Sequence, residues 1–439
     1  MARGRPCVKC YLTLAAIIVI VLALTGVWNP FPAAWRWVNT SQELATPKVV
    51  WQQRLGGAPR GVTVTGDAVM IEHRTSVEAR STADGRRLWK RKADWAAPAG
   101  AGRRSAIVTG KLLVKGYEVL HPGDGRTLRR DTRAVAVWTF RDAVVDAGCV
   151  DGDTGCALTA WPTRGGGPLW RVPLPSVDFI MFADNPPLPA AATLTVPRVA
   201  PDAGGPAPMP RMLGFPFDDR VQVVDTANGR LVRDTPAGPD ERVLLAGGRL
   251  IRVAARSRDG GCYFHTRATD PATEQEAWAD ETLNLRTAPS GCVQREDPAG
   301  GGNVLVAVSP DGRELLIDAY DGRAVWTADG RERVAAAGDR HALIRSHDGR
   351  RISGVALGRN RAAWSREVAA TTQAALVGSM ALLVDPDSDT VVALDPGSGT
   401  VLLELRSAAK VSAVGPAGLF LTDGREFGYA RFATRPDRE

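Results

Sequence analysis

The chain has 439 residues, 44% of them apolar, and a formal charge of +7. That apolar share is ample for a core and excludes a disordered protein, while the length admits two or three domains or one large all-β ring. Residues 1–48 hold much of the charge, and beyond them Arg and Asp intersperse at turns, a solvated mixed surface rather than the basic face of a nucleic-acid binder.

The first predicted element is "YLTLAAIIVIVLALTGVW", Tyr11 to Trp28, a run without a charged residue. It is close to the roughly 20 residues that cross a bilayer as a helix. Arg3, Arg5 and Lys9 precede it, so the positive-inside bias places residues 1–10 in the cytoplasm and the remainder outside. The following "TGVWNPFP" is a poor cleavage site, so the segment reads as an uncleaved anchor of the cell membrane. Cys7 and Cys10 fall on the cytoplasmic side as an incidental pair of thiols. Residues 29–48 read as a linker. The scarcity of lysine, with Arg taking its place, reads as the coding bias of a GC-rich bacterial genome.

From residue 49 to 433 one phrase recurs: an alternating apolar strand, an Asp/Asn/Ser turn beside Gly, then an aliphatic or Trp four residues on. "STADGRRLW", "VVDTANGRLV", "IDAYDGRAVW" and "ALDPGSGTVLL" are examples. The turn positions are Gly85, Gly125, Gly166, Gly229, Glu274, Gly322, Asn360 and Gly399. A spacing near 40 residues with four short strands per unit predicts the blades of a β-propeller. The Gly supplies the positive φ of a tight turn. Trp51, Trp89, Trp170, Trp278, Trp326 and Trp364 form a periodic set, predicted to fill the space between adjacent blades rather than to stack on a cofactor. "KVVWQQRL" at the start and "KVSAVG", "GLFLTDG" and "EFGYARF" at the end are predicted to share one closing blade.

Four cysteines fall in the propeller region. An even number in an oxidising compartment predicts two disulfides. The turn in "GCVDGDTGC" brings Cys149 opposite Cys156, leaving Cys262 with Cys292. One interval is long: residues 184–210 carry eight prolines and are expected to protrude as an inserted loop. Near the end, "DPDSD" sets Asp385, Asp387 and Asp389 on a tight turn, where alternate carboxylates could hold calcium. An ordinary solvated turn is the simpler expectation there. Residues 434–439 read as a tail.

The phrase in "ALDPGSGTVLL" resembles the repeat of the pyrroloquinoline-quinone (PQQ)-like propeller family, roughly A-L-D-x-x-x-G-x-x-x-W, with Leu403 in place of the final Trp. The resemblance implies an all-β, eight-bladed propeller of four-stranded blades, here preceded by one N-terminal transmembrane helix. To keep eight, the unit around Glu274, which has no turn Gly, is expected not to be a true blade. The family includes quinoprotein dehydrogenases that hold PQQ beside a disulfide of adjacent cysteines, with calcium. This chain has no adjacent cysteine pair, and no GxSxG, HExxH or GxxxxGK[ST]. No catalytic residue and no cofactor are assigned. The non-catalytic relatives imply a scaffold or ligand-sensing module of the bacterial envelope with a protein partner; the alternative is a quinoprotein enzyme using PQQ and calcium.

Overall fold

The computed structural model describes residues 43–149, 155–174, 196–217, 220–236, 241–259, 261–285, 299–359 and 361–433. The expected membrane segment 11–28, Cys7, Cys10, Cys292, Asn360 and residues 184–195 lie outside them. No helix of the described residues is long and apolar enough to cross a membrane. The chain divides into two compact units, Met1–Glu43 and Leu44–Glu439, and the second holds every described strand.

In chain order the strands fall into successive antiparallel sheets, the blades. The first strand, β1 (Trp51–Arg54), waits for partners from the far end of the chain. Blade 1 is β2 (Gly61–Thr65), β3 (Ala68–His73), β4 (Ser76–Ser81) and β5 (Arg87–Arg91). Blade 2 is β6 (Trp95–Ala99), β7 (Ala106–Gly110), β8 (Tyr117–Leu120) and β9 (Thr127–Asp131). Blade 3 is β10 (Ala134–Thr139), β11 (Ala143–Cys149), β12 (Cys156–Pro162) and β13 (Trp170–Leu174). Blade 4 has three strands among the described residues, β14 (Met212–Phe217), β15 (Arg220–Asp225) and β16 (Arg230–Pro236). Blade 5 is β17 (Glu241–Ala246), β18 (Arg249–Arg258), β19 (Gly261–Thr269) and β20 (Glu276–Asp280). Blade 6 is β21 (Val304–Val308), β22 (Glu314–Asp318) and β23 (Ala324–Thr327), with Asn284 and Gly300 bridging to β21. Blade 7 is β24 (Arg333–Ala337), β25 (His341–Arg345), β26 (Arg351–Ala356) and β27 (Arg361–Glu367). Blade 8 is β28 (Gln373–Val377), β29 (Met380–Asp385), β30 (Thr390–Leu394) and β31 (Val401–Arg406). Blade 9 joins β32 (Lys410–Gly415), β33 (Gly418–Asp423) and β34 (Glu426–Arg431) to β1, which pairs with β34 as its outer strand.

The expected closing blade is therefore present, but the count is nine, not eight. Nine apolar clusters lie one at each junction, including blade 4 with 5, 5 with 6, and 9 with 1. Middle strands such as β3 and β29 carry continuous apolar runs because neighbouring blades cover both their faces. Outer strands such as β13 alternate buried and exposed positions.

Glu274 is where the expectation of eight fails, and the junctions show why. At a standard joint a Trp from one blade's outer strand lies on the third turn of the next blade. Its indole N–H donates to a carbonyl three residues before the turn Gly: Trp51 to Thr82 (3.0 Å), Trp89 to Pro122 (2.7 Å), Trp278 to Ala319 (3.0 Å) and Trp364 to Pro396 (2.8 Å). The Gly is required twice. At Gly399 φ is +74°, and a Cβ there would stand 2.6 Å from the Trp364 ring. Between blades 4 and 5 the pair is exchanged as a unit. Arg233 replaces the Trp and donates through Nε to the Pro271 carbonyl (2.9 Å), three residues before Glu274. Glu274 keeps the positive φ (63°) and pairs with the same guanidinium. The unit is a full blade with a different fastener.

Trp170 packs against Gly229, but its buried indole N–H finds no acceptor there, and Trp326 is buried in the blade 6–7 cluster.

The proline-rich stretch does not protrude where it is described. Val199 forms a parallel bridge with Val411 of β32; Ala200 N–H donates to Val411 O (2.9 Å), Val411 N–H to Arg198 O (2.9 Å) and Val414 N–H to Ala203 O (2.8 Å). Val196, Val199 and Ala203 are buried in the cluster between blades 8 and 9. On the other side, Gly204 packs so tightly on Gly378, just past β28, that a Cβ would meet its nitrogen at 2.8 Å. The prolines permit this because of their spacing. The groups that meet β32 are the Arg198 and Ala203 carbonyls and the Ala200 N–H, and the Val199 N–H turns back to Val196 O, so Pro197 and Pro201 remove no donor that the pairing uses. The chain then crosses to blade 3, where Arg141 N–H donates to Ala207 O (2.7 Å) and Met209 N–H to Asp142 (2.9 Å).

Candidate functional site

Three groups of polar side chains stand out, and two belong to the blades themselves. In blade 1, Glu78 is buried and accepts from Arg80 Nε at 2.8 Å, with His73 Nε2 at 3.7 Å. Burial works against its charge, but the hydrogen bonds from His73 and Arg80 and the positive charge of Arg80 outweigh it and hold the carboxyl at about 2. Arg80 also donates to Gly85 O and to Gln53 of β1, so the cluster ties blade 9 to the turn of blade 1.

The second group replaces a docking Trp. Arg129 occupies that position in β9, lies over the Trp161 ring of blade 3 at 4.6 Å, and donates to the Tyr117 hydroxyl (2.8 Å). Tyr117 and the Trp161 indole both donate to Asp146 Oδ2, at 2.6 and 2.7 Å. Burial raises the Asp146 carboxyl, and burial together with the Asp146 charge raises the Tyr117 hydroxyl. Every one of these groups has a partner within the joint.

The third group is open to solvent. His341, Ala356, Arg359, Arg361, Ala363 and Gly397 line a cleft of about 390 Å³ between blade 7 and the third turn of blade 8. His341, Ala356 and Arg361 sit side by side because β25, β26 and β27 pair in that register. Arg359 and Arg361 are exposed, so the cleft presents positive charge on the turn face of the propeller. The sequence signal for it is weak: two arginines beside a turn look like many others in this chain.

Of the residues singled out from sequence, Asp385, Asp387 and Asp389 share the β29–β30 turn but face separate partners. Ser388 Oγ donates to Asp385 (2.5 Å), Thr371 Oγ1 to Asp387 (2.7 Å), and Arg198 Nη1 to Asp389 (3.0 Å). Asp389 thus helps clamp the proline-rich segment. Among the described residues no three His, Cys, Asp or Glu side chains are grouped to hold a metal. Cys149 and Cys156 face each other across β11 and β12 and form a disulfide. Cys262 is also disulfide-bonded; its expected partner, Cys292, lies outside the described residues. The donor set of a PQQ and calcium site, an adjacent cysteine pair beside convergent carboxylates, is not assembled among the described residues.

Residues 264–427 match the family model PQQ_2, described as outer membrane protein assembly factor BamB. No curated protein matches the chain. Similar solved structures include BamB from Moraxella catarrhalis, 14% identical over 83% of this chain and 100% of that one, with a TM-score of 0.35. Another is the quinohemoprotein alcohol dehydrogenase from Comamonas testosteroni, 11% identical over 89% of this chain and 77% of that one, with a TM-score of 0.37. A eukaryotic initiation factor gives 10% identity over 88% and 93%, with a TM-score of 0.44. Likeness this distant carries no site across. The match to the family model covers blade 5 from β19 through blade 9, the same stretch in which Trp278–Gly322 and Trp364–Gly399 form the repeat's joints. Residues 264–427 carry PQQ-like β-propeller repeats, and the chain as a whole has the propeller fold.

Proposed function

We propose that the chain is a membrane-tethered, extracytoplasmic interaction scaffold of the bacterial cell envelope. Its apolar segment 11–28 serves as the tether, and a partner protein is bound on the turn face that carries the His341–Arg359–Arg361 cleft. One observation supports this above others. The buried ionisable side chains described above, Glu78 with Arg80 and Asp146 with Tyr117, are taken up in joints between or within blades, whereas the open cleft is built of cations on a rigid face. A family resemblance to assembly scaffolds agrees with it, as fold-level analogy.

The test places a photocrosslinking amino acid at Arg359 or Arg361 in the full chain within native membranes. A discrete crosslinked envelope protein, lost when the crosslinker is moved to the outer strand of blade 1, supports the scaffold. In parallel the purified protein is titrated with PQQ and calcium. Stoichiometric binding with dye-linked alcohol or sugar oxidation would replace the scaffold with an enzyme.

A further inference from the structure

The turn between β7 and β8, residues 111–116, reads Lys-Leu-Leu-Val-Lys-Gly. Leu112, Leu113 and Val114 are 52%, 80% and 52% exposed. No other large exposed apolar residues of the described chain are adjacent in sequence; Val50, Leu169, Tyr263, Tyr320 and Val401 each stand alone. A contiguous apolar tip on a rigid hairpin invites an occupant.

Leu113 also has a φ of +60°. A bulky residue in the left-handed region is an outlier, and glycine would relieve it. The most exposed apolar side chain is thus held in the least comfortable backbone, a combination that fold stability alone does not select. Leu112 N–H donates to Asp94 at 3.0 Å, and Gly116 N–H to Ala134 O at 2.8 Å, so both flanks of the tip are anchored.

The chemistry around the tip is basic. Lys111 and Lys115 flank it, and exposed Lys92, Arg74 and Arg133 lie on the adjoining turn and links of blades 1 and 2. Among the described residues, Asp94 accepts from the Leu112 amide, and Asp131 from the amides of Arg133 and Ala134.

The tip lies on the face opposite the cleft. Third turns, on which the docking tryptophans rest, occupy one face; second turns and the links between blades occupy the other. On that second face the chain also enters the propeller. Thr46 pairs with Arg406 at the end of β31, and Ser407 in the next link donates to Leu44 O. Fifteen residues, 29–43, separate this entry from the apolar run, a reach of at most about 50 Å.

We propose that Leu112–Leu113–Val114 is a finger that inserts into the surface of an anionic lipid bilayer, with Lys111 and Lys115 at the headgroups. The apolar side chains enter the interface and the lysines keep their ammonium groups in the headgroup layer. The finger holds the entry face down on the membrane and turns the cleft away from it. This orientation rests on the tether reading; lipid binding by the finger does not.

The test uses the unit Leu44–Glu439, which contains all nine junction clusters and both halves of the closing blade and so folds without the upstream segment. Flotation is measured with phosphatidylcholine vesicles, with and without phosphatidylglycerol. Wild type is expected to float with the anionic vesicles. The triple variant L112S/L113S/V114S lowers the partition coefficient by about tenfold or more. K111E/K115E removes the preference for anionic over neutral vesicles, each lysine being worth about fivefold. Leu113→Gly loses lipid binding without lowering the melting temperature, which separates insertion from folding. Unchanged flotation of the triple variant, or none by wild type on either vesicle, overturns the proposal and leaves the tip as a protein contact. Carbonate extraction of the full chain tests the tether separately: its release from membranes would end the tether reading and leave the flotation result standing.

Discussion

Arg233 and Glu274 exchange roles with a Trp and a Gly, and the exchange predicts a coupling. Arg233→Trp alone drives an indole against the Glu274 Cβ and is expected to cost about 1–3 kcal/mol. Glu274→Gly alone loses an exposed ion pair but relieves a left-handed backbone, and stays near neutral. The double variant rebuilds the standard joint, so urea denaturation should show a coupling of at least about 1 kcal/mol. Gly399→Ala, which meets both the positive φ and the Trp364 ring, is expected to cost about 2–4 kcal/mol. A second residue-scale prediction concerns acid. Glu78 has a folded value near 2 against 4.5 unfolded, so its contribution is complete above about pH 4.5 and fades as pH falls toward 2. The shift corresponds to about 3 kcal/mol. Glu78→Gln should therefore be less stable than wild type at neutral pH, by a margin that shrinks between pH 4.5 and 2. A margin independent of pH would show that the carboxylate is not what holds Arg80.

At the scale of elements, the strands were legible because their turns announce themselves. "DPGSGT" and "AYDGRA" carry Asp and Gly at fixed offsets, and the alternation beside them has a period of two. The missed blade and the missed docking of the proline-rich segment have physical causes. Glu274 hid a blade because the turn rule was read as a rule about glycine, whereas the joint demands only that docking side chain and turn residue fit each other. Residues 196–205 hid a docked segment because proline density was counted, whereas a single bridge at Val199 and a few backbone hydrogen bonds are enough to hold it on β32. The cleft was illegible because register, not sequence proximity, brings His341 beside Arg361. The docking of the proline-rich segment is testable on its own. Ala200→Pro removes the one donor in this segment that Val411 O accepts, and is expected to destabilise by about 1–3 kcal/mol and expose residues 184–210 to protease. Equal protease resistance would mean the pairing with β32 is dispensable.

The unit Leu44–Glu439 is a ring whose ends meet. β1 covers the edge of β34, and Trp51 packs among Phe420, Phe427 and Tyr429 at centroid distances of 6.1, 5.4 and 5.9 Å. Deleting residues 44–54 would strip the outer strand from blade 9 and leave β34 as an open template. Size-exclusion chromatography should then show larger species than the intact unit forms. A monomer of unchanged stability would mean that blade 9 closes without its fourth strand.

The docking of Val199 beside Val411 bears on the order in which the molecule can be made. A polypeptide delivered N-terminus first completes its early blades from local hairpins, but residues 196–205 have no partner until β28 and β32 arrive, about two hundred residues later. β1 likewise waits for β34, the last strand of all. Both long-range closures thus wait on the last stretch of chain, and the barrier to folding is set by loop closure rather than by any single blade. Until that stretch emerges, a proline-rich segment and an unpaired first strand stay open to chaperones and proteases. Once that stretch has docked, both sites are closed by the same end of the chain.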